Sequence, residues 1–127
     1  MIPFNGETIL LVEDNEINVM VGKQILSKWN LKIDVAYNGE EALEKVKNNN
    51  YSVVLMDIQM PVMNGYDASI KIRTFNTEVP IIALSASVFV EVKEKIFDCG
   101  MNDFVYKPFD PRDLYAKLSH FINNTNS

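Results

Sequence analysis

"VVLMDIQMPVMNGYDA", residues 53 to 68, decides how this chain reads. Four apolar residues run straight into Asp57, and a Met-Pro pair comes within four positions of it. A run this short and this apolar reads as a strand buried on both faces. A carboxylate at the end of such a strand is poorly placed for simple solvation, so Asp57 calls for a reason.

Working outward, strand-like runs occur at "TILLV" (8–12), "KIDVAY" (32–37), "YSVVLM" (51–56), "VPIIALSA" (79–86) and "DFVYK" (103–107). Helical signals lie between them. "NGEEALEKVKNN" opens with Asn38 as N-cap and Glu41 three residues later, a capping-box pattern. "DPRDLYAKLSHFI" offers Asp110 as cap with Pro111 at the first helical position, and "FVEVKEKIFDCG" closes on Gly100. Strands alternating with helices long enough for crossovers predict a parallel sheet covered on both faces. The second strand alternates Lys32, Ile33, Asp34, Val35, which suits an edge. The expected fold is α/β, a doubly wound five-stranded parallel sheet with five helices.

The totals agree with one such domain. The chain has 127 residues, 47% of them hydrophobic, and a net charge of −5. That charge argues against direct capture of nucleic acid or of an anionic membrane by a basic face. No apolar stretch approaches the roughly 20 residues that span a bilayer, and "MIPFNGET" lacks the basic and apolar regions of a signal peptide. The single cysteine, Cys99, excludes a disulfide framework. A cytoplasmic domain is expected, with 1–6 a flexible lead-in and 123–127 a flexible tail.

The residues that end the strands point to chemistry. After the first come Glu13 and Asp14, after the third Asp57, after the fourth Ser85, and Lys107 ends the fifth. Parallel strands all end at one edge of the sheet, where ligand sites of open α/β sheets lie. Each residue alone has an ordinary reading, as a cap, a turn or a surface charge. Their joint occurrence at four of the five strand ends is the signal. Like charges about 4 Å apart repel by roughly 1 kcal/mol in water and several times more near a protein surface. Three such acids want a cation, and hard oxygen ligands in an open site favour Mg²⁺. A carboxylate nucleophile beside Mg²⁺, a lysine and a hydroxyl has the parts for phosphoryl transfer to an aspartate. As a strand-end ammonium, Lys107 is expected to matter more for that transfer than for stability.

These motifs, "LLVEDN", "LMDIQMPVMNG", "ALSA" and "YKPF", resemble those of the receiver domain of two-component response regulators, over about residues 7 to 122. The spacings fit as well: 43 residues from Asp14 to Asp57, 28 on to Ser85 and 50 from Asp57 to Lys107. The resemblance implies a flavodoxin-like sheet of order 2-1-3-4-5 and phosphorylation of Asp57. It implies that Asp14, Asp57 and the backbone carbonyl of Gln59 ligate Mg²⁺, with Glu13 acting mainly through water. Ser85 would hydrogen-bond the phosphoryl group, Ala86 would leave room for it, and Lys107 would pair with it. The Lys107-Pro108 peptide is expected to be cis. Phe104 matches the aromatic that changes rotamer on activation, and Gln59 and Ser87 flank the path of the hydrolytic water. The domain would assist its own phosphorylation and dephosphorylation without being an enzyme in its own right.

Two departures stand out. Many receivers carry threonine where this chain has Ser85 and tyrosine where it has Phe104, so the hydroxyl survives at the first position and is lost at the second. "LLVEDNEINVMVGKQIL" looks most like receivers of hybrid sensor histidine kinases. Two arrangements stay open, a receiver from a larger kinase, which is favoured, and a single-domain regulator. The implied partner is a histidine kinase or a histidine phosphotransfer protein. In the first helix, helical spacing puts Asn18, Val21, Gly22, Ile25, Leu26 and Trp29 on the sheet-facing stripe. It leaves Ile17, Met20 and Val19 beside the cleft, where Ile17 and Met20 suit docking of a partner helix.

Two rival functions are weaker. A phosphatase of the haloacid dehalogenase type needs an acid two residues after its nucleophile, and Gln59 cannot serve as a general acid. A receiver-like module that no longer accepts phosphate would not need the full set of acids, hydroxyl and lysine.

Overall fold

The apolar runs pair as five parallel strands in the order β2-β1-β3-β4-β5: β1 (Thr8–Val12), β2 (Lys32–Ala36), β3 (Val53–Asp57), β4 (Ile81–Ser85) and β5 (Asp103–Tyr106). Helices α1 (Glu16–Ser27), α2 (Gly39–Asn48), α3 (Gly65–Arg73), α4 (Val90–Asp98) and α5 (Pro111–Thr125) alternate with them. This computed structural model describes the backbone of residues 1–125 and the side chains of residues 1–123.

Alternation along the strands builds two cores. Leu10, Val12, Val54 and Met56 face α2, α3 and α4 through Ala42, Val46, Ala68, Ile72 and Ile96. Ile9, Leu11, Val53 and Leu55 face α1 and α5 through Leu26, Leu114, Leu118 and Ile122. The central strands β1, β3 and β4 are therefore apolar except at one terminal residue each (Thr8, Asp57 and Ser85), and β2 is the edge its alternation predicted.

Asparagines start three helices at the carboxyl edge. The side chains of Asn15, Asn38 and Asn64 accept from the backbone N–H of Asn18, Glu41 and Asp67. The predicted capping box forms only by half: Glu41 accepts from the Asn38 side-chain amide at 3.4 Å rather than from its backbone N–H. At the far end of α4, Gly100 (φ +94°) donates to Phe97 O while Met101 donates to Ile96 O, the paired bonds of a Schellman cap.

The face of α1 differs from the count made on sequence. Val19, Gly22, Leu26 and Trp29 are buried, whereas Val21 is 41% exposed. Gly22 explains the rotation, because a Cβ there would lie 2.9 Å from Leu11 Cδ2, so the backbone itself rests on the sheet. With Gly22 at the centre and about 100° per residue, Val19 and Ile25 lie about 60° to either side and Val21 about 100° away. Ile17 and Met20 fall on the opposite side and are 70% and 62% exposed.

The lead-in, expected to be flexible, packs its Phe4 side chain into the α1–α5 core. The Phe4 ring lies 5.3 Å from Tyr115, which stands edge-on to Trp29. The Phe4 N–H donates to Trp29 O at 2.7 Å. Of the expected tail, 123–125 belong to α5, and 126–127 lie outside the described residues. No helix among the described residues is long and apolar enough to cross a membrane.

Candidate functional site

Register brings the strand ends together. Val12 pairs with Met56, so Glu13 and Asp57 emerge side by side, while Asp57 pairs with Leu84 and Ser85 with Tyr106. The backbone N–H of Lys107 donates to Ser85 O at 2.8 Å, which sets the lysine one step beyond the sheet. Carboxylate oxygens of Glu13, Asp14 and Asp57 all lie within 4.8 Å of one another. They line a cleft of about 410 Å³ together with Gln59, Ser85, Ala86, Ser87 and Lys107. The sequence-predicted set thus meets in one place, with Phe104 one step outside it.

Glu13 and Asp57 are buried and Asp14 is exposed. The Lys107 ammonium bridges the two buried acids, 2.9 Å from Glu13 Oε2 and 3.1 Å from Asp57 Oδ2. Burial, with the charge of Glu13 beside it, pushes the Asp57 carboxyl up to about 6 in spite of that ammonium. Burial pulls Lys107 the other way, but its bonds and charge pairing with Glu13 and Asp57 outweigh this, and its pKa rises. The half-buried ammonium is therefore the countercharge of two buried acids rather than a loose strand-end charge, which revises the expectation that Lys107 adds little to stability.

The loop after Asp57 is tightly held. Gly65 N–H donates to Ile58 O at 2.9 Å, and a Cβ on Gly65 would sit 2.3 Å from Asp57 O. Val62 has φ +70° and is spanned by a bond from Met63 N–H to Pro61 O, a γ-turn in a conformation rare for a β-branched residue. Such strain is tolerated where neighbours over-determine it; Gln59, at the start of this loop, lines the cleft. The Lys107-Pro108 peptide is cis.

Ser85 does not point at the acids: its hydroxyl donates to Ser87 O at 2.6 Å. Phe104 is half-buried beneath α4 and α5. The Lys117 ammonium lies 4.6 Å and the Lys93 ammonium 5.5 Å from its ring centre. Where a tyrosine would use its hydroxyl, this ring has two cations on its π-system. Sequence reading missed these lysines, because no local signal links α4 and α5 to a strand between them. It also missed Asn18 and Tyr66, which line the cleft.

A flavodoxin-like sheet with an acidic cleft at its carboxyl edge is the class that fold and site define. The response regulator receiver domain model matches residues 9–119, and the chain belongs to that family. It is 38% identical over 125 residues to hybrid signal transduction histidine kinase B of Dictyostelium discoideum, a match covering 88% of this chain but 6% of that kinase. It is similar in structure to the receiver domain of a sensor histidine kinase from Pseudomonas aeruginosa PAO1, crystallised with a magnesium ion in its active-site cleft. That likeness has a TM-score of 0.87 at 35% identity, covering 94% of this chain and 99% of the other. It is also similar to a chain in the co-crystal of the Saccharomyces cerevisiae histidine phosphotransfer protein Ypd1 with the receiver domain of Ssk1. There the TM-score is 0.87 at 32% identity, over 93% and 90% of the two chains.

Proposed function

We propose that residues 7–122 form a phosphoacceptor domain in which Asp57 takes a phosphoryl group from a phosphohistidine partner. The observation that carries this is the buried Asp57 carboxylate, set among two further acids and 3.1 Å from the Lys107 ammonium. The donor set fits Mg²⁺: hard oxygens, one exposed acid, and a span suited to an ion that keeps several waters. Asp14, Asp57 and the Gln59 carbonyl would hold the ion, with Glu13 acting through water, and its charge would offset that of a phosphoryl oxygen.

The side chains divide the remaining work. An Asp57 oxygen attacks phosphorus in line as the bond to the donor nitrogen breaks, and the freed histidine recovers a proton from solvent. Lys107 then exchanges part of its pairing with Asp57 for a phosphoryl oxygen. Ser85 turns its hydroxyl from Ser87 O to the same group, Ala86 leaves room for it, and Phe104 moves into the space the hydroxyl leaves. This is signalling chemistry on the domain itself rather than turnover of a substrate. Its donor, made from ATP, implies a cytoplasmic setting, and the buried free thiol of Cys99 agrees with one. Similarity to a hybrid kinase favours a longer parent chain.

Incubation with acetyl phosphate and Mg²⁺ followed by intact mass tests the reading. One phosphoryl adduct per chain is expected, and none would refute it. Asp14→Asn should weaken Mg²⁺ binding by about tenfold and slow adduct formation with it, since one charged ligand of a weakly held ion is lost. Equal calorimetric affinities in the variant and wild type would contradict the ligand assignment.

Partner docking is proposed at Ile17 and Met20. They are exposed on the first turns of α1, beside Asp14, and a histidine-bearing helix reaching Asp57 must lie over this rim. Ile17→Ala and Met20→Ala should each slow transfer from a phosphorylated histidine phosphotransfer protein by about fivefold to tenfold, a loss of about 1 kcal/mol of docking energy. Acetyl phosphate labelling should stay unchanged. Equal slowing with both donors would assign the residues to the fold or the cleft instead.

A further inference from the structure

Glu13 is 1% exposed, and a buried carboxylate needs donors for both oxygens. Lys107 serves Oε2 at 2.9 Å. Oε1 faces the start of α1, where the Asn15 N–H donates at 3.3 Å and the Asn18 side-chain amide at 3.4 Å. Asn18 is half-buried and lines the cleft, one turn beyond Asp14 and Asn15. Its side chain takes no part in capping α1, which Asn15 performs. An asparagine here therefore contributes nothing that alanine, the better helix former, would not, except the amide aimed at Glu13.

The geometry points to Asn18 as a positioning residue for phosphoryl transfer: its amide holds Glu13 in the rotamer that anchors the Lys107 ammonium against Asp57. The chain of contacts is Asn18 to Glu13 Oε1, Glu13 Oε2 to Lys107, and Lys107 to Asp57 Oδ2. Without the amide, the Asn15 N–H alone restrains the outer oxygen. The carboxylate is then free to change rotamer, and the ammonium moves with it. Misplacement of a charged group by about 1 Å is enough to slow a positioned reaction severely. This inference rests on the reading of Asp57 as phosphoacceptor.

Phosphoryl uptake from acetyl phosphate should be measured in wild type, Asn18→Ala, Glu13→Gln and the double variant, across a Mg²⁺ titration. Asn18→Ala should lower the maximal rate by about tenfold while half-saturating Mg²⁺ stays within about twofold. In the Glu13→Gln background the same change should have no further effect, because the amide acts only through that carboxylate. Asn18→Asp keeps the shape, removes the donor and adds a repelling charge, so it should be slower than Asn18→Ala. In metal-free, ¹⁵N-lysine-labelled protein, the Lys107 ammonium resonance should shift in Asn18→Ala and not in Ile17→Ala. Wild-type rates in Asn18→Ala, or an undiminished effect beside Glu13→Gln, would overturn the inference. If wild type takes up no phosphoryl group, the phosphoacceptor reading fails, and an unmoved Lys107 resonance would then overturn the positioning role as well.

Discussion

Asp57→Asn is expected to take up no phosphoryl group from acetyl phosphate or from a phosphohistidine protein, and in metal-free buffer to melt higher than wild type. The first half comes from chemistry, because the amide keeps the shape of the carboxylate and lacks its nucleophilic charge. The second comes from linkage. Burial and Glu13 raise the Asp57 carboxyl to about 6 in the folded protein, from 3.8 as the ordinary value. A raised acid binds its proton more tightly in the folded state, so the folded form is favoured at low pH. That stability is fully present below about 4 and is lost as pH rises through about 6. At pH 7 the ionised carboxylate therefore destabilises the metal-free fold, by about 3 kcal/mol if the whole shift is realised. The advantage of Asp57→Asn should vanish at pH 4 and shrink on adding Mg²⁺. Melting curves at pH 4 and 7, with and without Mg²⁺, check it. An adduct that persists in the variant, or a variant less stable than wild type at pH 7 without metal, would refute the assignment.

Lys107→Ala should go the other way on stability and the same way on chemistry. Its ammonium pairs with two buried acids, and removing one member of such a pair leaves uncompensated charge that costs about 3 kcal/mol or more. Part of this is avoided as Asp57 takes a proton, so the loss should be largest above pH 7. Because Mg²⁺ would supply the missing countercharge, millimolar Mg²⁺ should restore most of the melting temperature. Phosphoryl uptake at saturating Mg²⁺ should still fall by about a hundredfold, the usual scale for one electrostatic donor at a reacting centre. An unchanged melting temperature without metal would show that the ammonium is not the countercharge of the buried acids that its contacts describe. Unchanged uptake would remove it from the transfer step.

The two variants together separate the costs of the cleft. One removes a repelling charge and the other the cation that holds repelling charges together. Opposite shifts in metal-free stability, with loss of phosphorylation in both, are the signature of a site built for a cation and a phosphoryl group at the expense of the empty fold.

The strand and helix pattern, the parallel sheet and the meeting of Glu13, Asp14, Asp57, Ser85 and Lys107 were legible in the sequence for one reason. In a parallel sheet every strand ends at the same edge, so period and order alone bring those residues together. The caps at Asn38 and at Asp110, whose carboxylate accepts from the Arg112 N–H at 3.0 Å, and the close of α4 at Gly100 were legible because their determinants are local. The rotation of α1 was not. Val19 and Val21 are the same residue type two positions apart, and only the seat of Gly22 on Leu11 decides which of them is buried. The docking of Phe4 on Trp29 and Tyr115 joins segments far apart in sequence, and the two lysines over Phe104 come from the adjacent helices; neither contact carries a periodic signal. Lys107 shows the division most sharply. Its presence at a strand end is a fact of sequence, but its role as the cation between two buried carboxylates depends on solvent exclusion, and burial is a property that only the packed tertiary structure creates.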